Sequence, residues 1–203
     1  RTNVLHALSH GARQVVVVTS AGPREGASTT AAGLARVLAL SGHRVVLVGG
    51  DLRSPSAVGA PGAPGLAEVL VGTARLSQVL VEGEVPGLEL LPAGDMPGNP
   101  SELLGGRNMS DLLHHLAADR IVIIDAPPVC RFTDAVVLAE YAGGVLLVAR
   151  AGRTSAEELR EAALAVGQGG GHMLGVVLTN VSDLGRGSRS AQTAVTHAES
   201  ATV

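Results

Sequence analysis

The sequence predicts an α/β domain: a mostly parallel central sheet with helices on both faces, three layers in all. Three observations lead there. Short runs of Val, Leu and Ile alternate with segments of helical periodicity along most of the 203 residues, the pattern of repeated βαβ units. Hydrophobic residues make up 46% of the chain but aromatics only 1%, and aliphatic strands are what a sheet covered on both faces requires. Polar features close several of the apolar runs: a glycine-containing turn at 21–28, then Asp51 and Asp125. Right-handed crossovers place ligands at such strand ends.

Composition narrows the partners. The net charge is −3 and the isoelectric point is near 6.2, so no polybasic footprint for nucleic acid is present. One Tyr, one Phe and no Trp leave no platform for stacking bases. The single cysteine, Cys130, excludes an intramolecular disulfide, fits a reducing compartment and reads as a small packed thiol. No apolar run reaches the ~18–20 residues of a membrane helix. The chain begins at Arg1 inside a helical pattern and without an initiator Met. It therefore reads as a fragment, with any membrane anchor outside it.

In chain order, 1–9 carries apolar residues at helical spacing, and 14–19 is a β-branched first strand. After the turn, 29–40 is a small-residue helix stopped by Gly42. A second strand at 44–48 runs into Gly49-Gly50-Asp51-Leu52-Arg53, and 54–65 is an aperiodic Pro/Gly/Ala loop. Short helices are expected at 66–71 and 76–81 and a strand at 88–91. A helix at 101–118 has Ser101 as its N-cap and a break near Gly105-Gly106. The run 121–124 is a buried strand with Asp125 at its tip. Helix 132–141, strand 144–149, helix 154–166 and strand 173–179 follow. Residues 1–181 thus form one domain, and 182–203, which lose periodicity, are expected to be disordered.

The segment Val15–Gly42 carries the strongest chemical signal. Strand, glycine turn and helix N-terminus together hold phosphate, because backbone N–H groups and the helix dipole converge on the anion. The turn meets the pattern G-x-x-x-x-G-K-[ST] in part: Gly26 and Ser28 are present, while Ala21 stands for the first glycine and Ala27 for the lysine. Ser28 supplies a hydroxyl for Mg²⁺ or caps the helix. Asp125 has the Walker B position, a strand-tip carboxylate that helps hold Mg²⁺, and Asp51 is placed to reach the same metal. His6 and His10 have i, i+4 spacing but no third ligand.

In this order, SAGPREGAST, VVLVGGDLRSP and IVIIDAPP resemble the Walker A, A′ and B motifs of bacterial tyrosine kinases (BY-kinases), the cytoplasmic P-loop domains of polysaccharide co-polymerases. GLAEVL, LPAGDMPGNPSELL, the TDA at 133–135, and VLLVARAGRT followed by LGVVLTNV resemble further landmarks of that family. The resemblance implies a P-loop NTPase fold, with ATP and Mg²⁺ as cofactors. It implies that Arg24, Glu25, Gly26, Ala27, Ser28 and Thr29 surround the phosphates and that Asn180 reads adenine. Ser28, Asp51 and Asp125 would hold the metal, and Asp51 would also assist the incoming tyrosine hydroxyl. It further implies a membrane co-polymerase segment or activator as partner, homo-oligomers, and a place at the cytoplasmic face of the plasma membrane.

The departures from that pattern fall at the site. Ala27 replaces the lysine, Arg24 stands at a position usually glycine, and Gly49 replaces the first Walker A′ aspartate. A lysine contact is worth ~1.5–3 kcal/mol, or about ten- to a hundredfold in affinity. A left-handed Arg24 would carry ~1–2 kcal/mol of strain. The only tyrosine, Tyr141, falls in an expected helix, and no tyrosine follows Asn180. The expectation is a weak or inactive kinase acting as a regulatory module. An active tyrosine autokinase is the alternative. A partitioning ATPase of the Mrp/MinD group is disfavoured, because SAGPREGA lacks that group's early loop lysine.

Overall fold

A computed structural model of the protein describes residues 4–5, 13–54, 58–60 and 62–181. Its centre is a seven-stranded sheet in the order β3-β4-β2-β5-β1-β6-β7. The strands are β1 (Val15–Ser20), β2 (Val45–Gly49), β3 (Val81–Glu82), β4 (Leu88–Leu91), β5 (Ile121–Asp125), β6 (Gly144–Arg150) and β7 (Met173–Thr179). All neighbours pair in parallel except β3, which runs antiparallel to β4 at one edge. The helices are α1 (Ala27–Leu40), α2 (Leu66–Val71), α3 (Leu76–Val79), α4 (Pro100–Leu104), α5 (Arg107–Ala117), α6 (Asp134–Ala139) and α7 (Ala156–Gln168).

Period-two alternation sorts the strand residues between two cores. Val16, Val18, Val45, Leu47, Ile121 and Ile123 face α1, whose Ala31, Ala35 and Leu38 are fully buried against them. Val15, Val17, Val46, Val48, Val122 and Ile124 face the opposite layer, where Leu70, Met109, Leu116, Leu138 and Val166 are buried. Alanines on α1 let that helix lie close to the sheet. Each buried Leu or Met contributes roughly 1.5–3 kcal/mol.

The expected strands all form, with ends shifted by no more than one residue. Three helical expectations are corrected. The segment 76–81 is helical only to Val79; Val81 and Glu82 pair with Leu90 and Glu89 as the antiparallel edge strand. The break expected in 101–118 is present, with two helices parting at Gly105-Gly106, but the expected Ser101 cap is not. The first of these is entered from Asn99 with Pro100 at its start, so Ser101 is no cap and its hydroxyl is free to donate to Asp134. Tyr141 lies beyond the end of α6 rather than inside it. Cys130 is exposed in the turn after β5, with its thiol 3.9 Å from the Glu158 carbonyl, and is not packed. Val4 and Leu5 are helical, but the remainder of the 1–9 helix, the His6/His10 pair and the 182–203 tail lie outside the described residues.

Candidate nucleotide and metal site

Because β1, β2 and β5 are adjacent and parallel, their carboxyl ends bring the turn at 21–26, Asp51 and Asp125 together. The turn leaves β1 at Ser20, whose hydroxyl donates to the Gly22 carbonyl at 2.8 Å, and enters α1 at Gly26. Gly26 has φ 101°, which glycine adopts without cost, and any added Cβ would stand 3.3 Å from the Thr179 methyl. The Gly26 carbonyl accepts both the amide of Thr30 at 2.9 Å and its hydroxyl at 2.8 Å. That closes the first turn of a 14-residue helix, and that turn holds no acidic residue. The amides of 26–29 are thus left to an anion, as at other helix N-termini.

Arg24 occupies the left-handed region at φ 62°. It is the strained non-glycine position that the sequence predicts, at ~1–2 kcal/mol. Its carbonyl is held by the Arg150 guanidinium at 3.2 Å, and its side chain is exposed. Glu25 turns inward. It is 4% exposed, and one carboxylate oxygen accepts the Thr154 hydroxyl at 2.6 Å. Its carbonyl accepts the Thr179 hydroxyl at 2.6 Å. Glu25 can therefore offer an anion only its backbone amide. Ala27, the first residue of α1, carries no charge, and Thr29 is exposed on the first turn. Asn180 follows β7 directly, exposed and left-handed at φ 53°, next to the Thr179 that touches the loop.

On the opposite side of the loop, Ser28 donates a hydrogen bond to Asp125. Asp125 is 3% exposed. Burial pushes its pKa from the ordinary 3.8 up to about 6; the Ser28 bond works against that rise and the nearby charge of Asp51 adds to it. Burial raises Asp51 as well, while the amides of Arg53, at 3.0 Å, and Ser54 oppose the rise. Two carboxylates, both raised chiefly by burial, plus one hydroxyl form a hard-oxygen donor set. Mg²⁺ fits that set. Gly49 sits beside Asp125 in the β2–β5 register, and Gly50 must stay glycine because a Cβ there would lie 2.6 Å from Ile124.

A second cluster, which the sequence did not reveal, anchors Asp51. Arg53 bonds the fully buried Asp134 through Nε at 2.6 Å and Nη2 at 3.1 Å, and reaches the Ser101 hydroxyl at 3.0 Å. Its guanidinium lies 4.7 Å from the centre of the Phe132 ring. The same residue's amide holds the Asp51 carboxylate, so the network fixes the turn that aims Asp51. Its only sequence signal was the TDA triplet; the 81-residue separation from Arg53 hides the pairing.

No family model matches the sequence. Tyrosine-protein kinase YwqD of Bacillus subtilis is 36% identical over 182 residues, spanning 88% of this chain and 77% of the relative. Tyrosine-protein kinase CpsD of Streptococcus agalactiae is 32% identical over 188 residues, spanning 90% of this chain and 80% of the relative. The chain belongs to the bacterial tyrosine kinase family. Longer BY-kinase relatives contain much besides: EpsB of Ralstonia nicotianae is 39% identical over 165 residues, but the chain spans 22% of its length. Among solved BY-kinase structures, the kinase domain of Escherichia coli ETK superposes with TM-score 0.83 at 30% identity, over 92% of this chain and 75% of that one. The VpsO kinase domain gives 0.80 at 34%, over 89% and 91%. A MinD of Pyrococcus horikoshii gives 0.64 at 20% identity, over 82% of this chain and 69% of that one, which shows the shared P-loop fold alone. No helix among the described residues is long and apolar enough to cross a membrane.

Proposed function

We propose that this BY-kinase domain serves an exopolysaccharide- or capsule-assembly protein as a nucleotide-responsive regulatory module, with phosphotransfer weak or lost. The observation that carries this reading is the split character of the site. The metal side keeps Ser28 hydrogen-bonded to Asp125 with the Asp51 charge near enough to raise it, whereas the phosphate side keeps the loop's shape with Ala27 in the lysine's place. ATP would be held by the amides of 24–29, with Asn180 toward the base and Arg24 folding over the phosphates as a partial replacement for the lost charge. Mg²⁺, when bound, would neutralise phosphate oxygens beside Ser28, Asp51 and Asp125. Asp51 would be the residue to orient an incoming tyrosine hydroxyl. Losing one preorganised cation at a transferring group costs about 10²–10³ in rate, which places turnover far below that of a lysine-bearing loop.

A membrane co-polymerase segment, on the same or a partner chain, is the expected partner, at the cytoplasmic face of the membrane and in a homo-oligomer. An active autokinase is the second reading, favoured by the intact metal side. Calorimetric titration of ATP with Mg²⁺ into the protein and into Ala27→Lys tests both readings. The variant is expected to bind about ten- to a hundredfold tighter. Phosphotyrosine formation by the unmodified protein refutes the regulatory reading, and equal affinity of the two proteins refutes the role given to Ala27.

A further inference from the structure

Glu25 is a charge in the wrong place for an anion site. Its carboxylate is buried within the loop itself, and its fixation is complete on one oxygen and missing on the other. Oε1 accepts the Thr154 hydroxyl. That hydroxyl oxygen already accepts the Arg150 amide at 2.8 Å, so its one proton is committed to Glu25. Oε2 is buried and meets no donor among the described residues. None of the ion pairs among the described residues includes Glu25. Gly22 packs over the carboxylate, where a Cβ would stand 3.2 Å from Oε1. The Thr179 hydroxyl pins the Glu25 carbonyl from the other side.

A buried carboxylate held this way opposes whatever anion the amides of 24–29 attract. Because it is desolvated, water screens it little. Ala27 provides no cation to offset it. We propose that Glu25 sets the affinity of the phosphate loop: anchored by Thr154 and outside every ion pair among the described residues, its carboxylate keeps the loop weak for di- and triphosphate anions. The inference rests on the reading of the loop as a phosphate site.

The neutral isostere separates charge from shape, since Glu25→Gln keeps an oxygen for the Thr154 hydroxyl and removes the negative charge. The full chain is titrated with inorganic pyrophosphate and with ADP at low salt and pH 7.5, without divalent ions, by calorimetry. Glu25→Gln is expected to bind both ligands about fivefold tighter or more. The gain should be equal for the two, because the effect acts on phosphate and not on the base. A glutamate whose role is only structural would give no gain. Unchanged or weaker binding by Glu25→Gln overturns the proposal. If neither the parent protein nor the variant binds either anion, the phosphate-site reading falls with it. Should Glu25→Gln fail to fold, Thr154→Val provides the second arm. Freed of its one hydrogen bond, the carboxylate moves toward solvent, where water screens it, and pyrophosphate binding should rise about twofold or more. No rise there also overturns the proposal.

Discussion

Replacing Asp125 with asparagine should make the metal-free protein more stable, although it removes the most deeply buried carboxylate at the site. The Asp125 carboxyl is raised from 3.8 to about 6, chiefly by burial and further by the Asp51 charge, against the Ser28 hydrogen bond. A carboxyl whose pKa is raised by folding favours the fold while protonated. Its stabilising share is fully present below the unfolded value and is lost as pH rises through about 6. At pH 7.5 the ionised group therefore costs about 3 kcal/mol. Asparagine has the same shape, still accepts from Ser28 and carries no charge, so Asp125→Asn should recover about 2–3 kcal/mol. For a domain of this size that is about 4–12 °C in Tm. The assay is differential scanning calorimetry of both proteins from pH 4.5 to 7.5 in chelator. The Tm gap should be widest at pH 7.5, shrink to about a third by pH 4.5 and close only below the unfolded value of 3.8. Adding Mg²⁺ should raise the parent's Tm and leave that of Asp125→Asn unmoved. A variant less stable than its parent at pH 7.5, or a gap that does not depend on pH, refutes the reasoning.

Further substitutions probe the loop and the anchor. Arg24→Gly removes the left-handed strain at the loop apex but adds the backbone entropy of glycine; the net should be a gain of about 0.5–1 kcal/mol in urea denaturation, with weaker ATP binding by calorimetry because the apical charge is gone. Asp134→Ala leaves the Arg53 guanidinium, whose side chain is only 29% exposed, without its carboxylate. Urea denaturation should show a loss of about 3–5 kcal/mol.

Much of this architecture was legible because strands and helices here announce themselves by period. The β-branched runs of 15–18 and 121–124 can be little else than buried strands. What escaped was what period does not encode. Val81–Glu82 is too short to alternate, so its pairing with β4 depends on β4 already being in place. Asn99 and Pro100 outrank Ser101 at the start of α4, since proline fits the first helical position. Cys130 follows a proline pair that carries the chain out to the surface, so its apolar character does not decide its burial. Motif positions gave Ser28, Asp51 and Asp125 because strand order brings them together. They gave neither the direction of the Glu25 side chain nor the Arg53–Asp134 pair, which depend on residues far along the chain.

The three departures from the family pattern are not equivalent once their surroundings are known. Ala27 removes a cation from the mouth of the loop, while Arg24 adds one at its apex at the expense of backbone strain. Gly49 removes an anion from a position where it would have been buried beside Asp125, already pushed toward neutrality by desolvation and by Asp51. Without a phosphate-bound metal, a third carboxylate there would raise Asp125 further and destabilise the fold. If, as proposed above, the domain spends little time loaded, losing that anion relieves it, whereas a working kinase, whose metal is replenished with every nucleotide, would gain nothing from the relief. The combination of a lost cation on the phosphate side and a lost anion on the metal side fits a domain selected for stability while empty, and that is the argument for regulation over turnover.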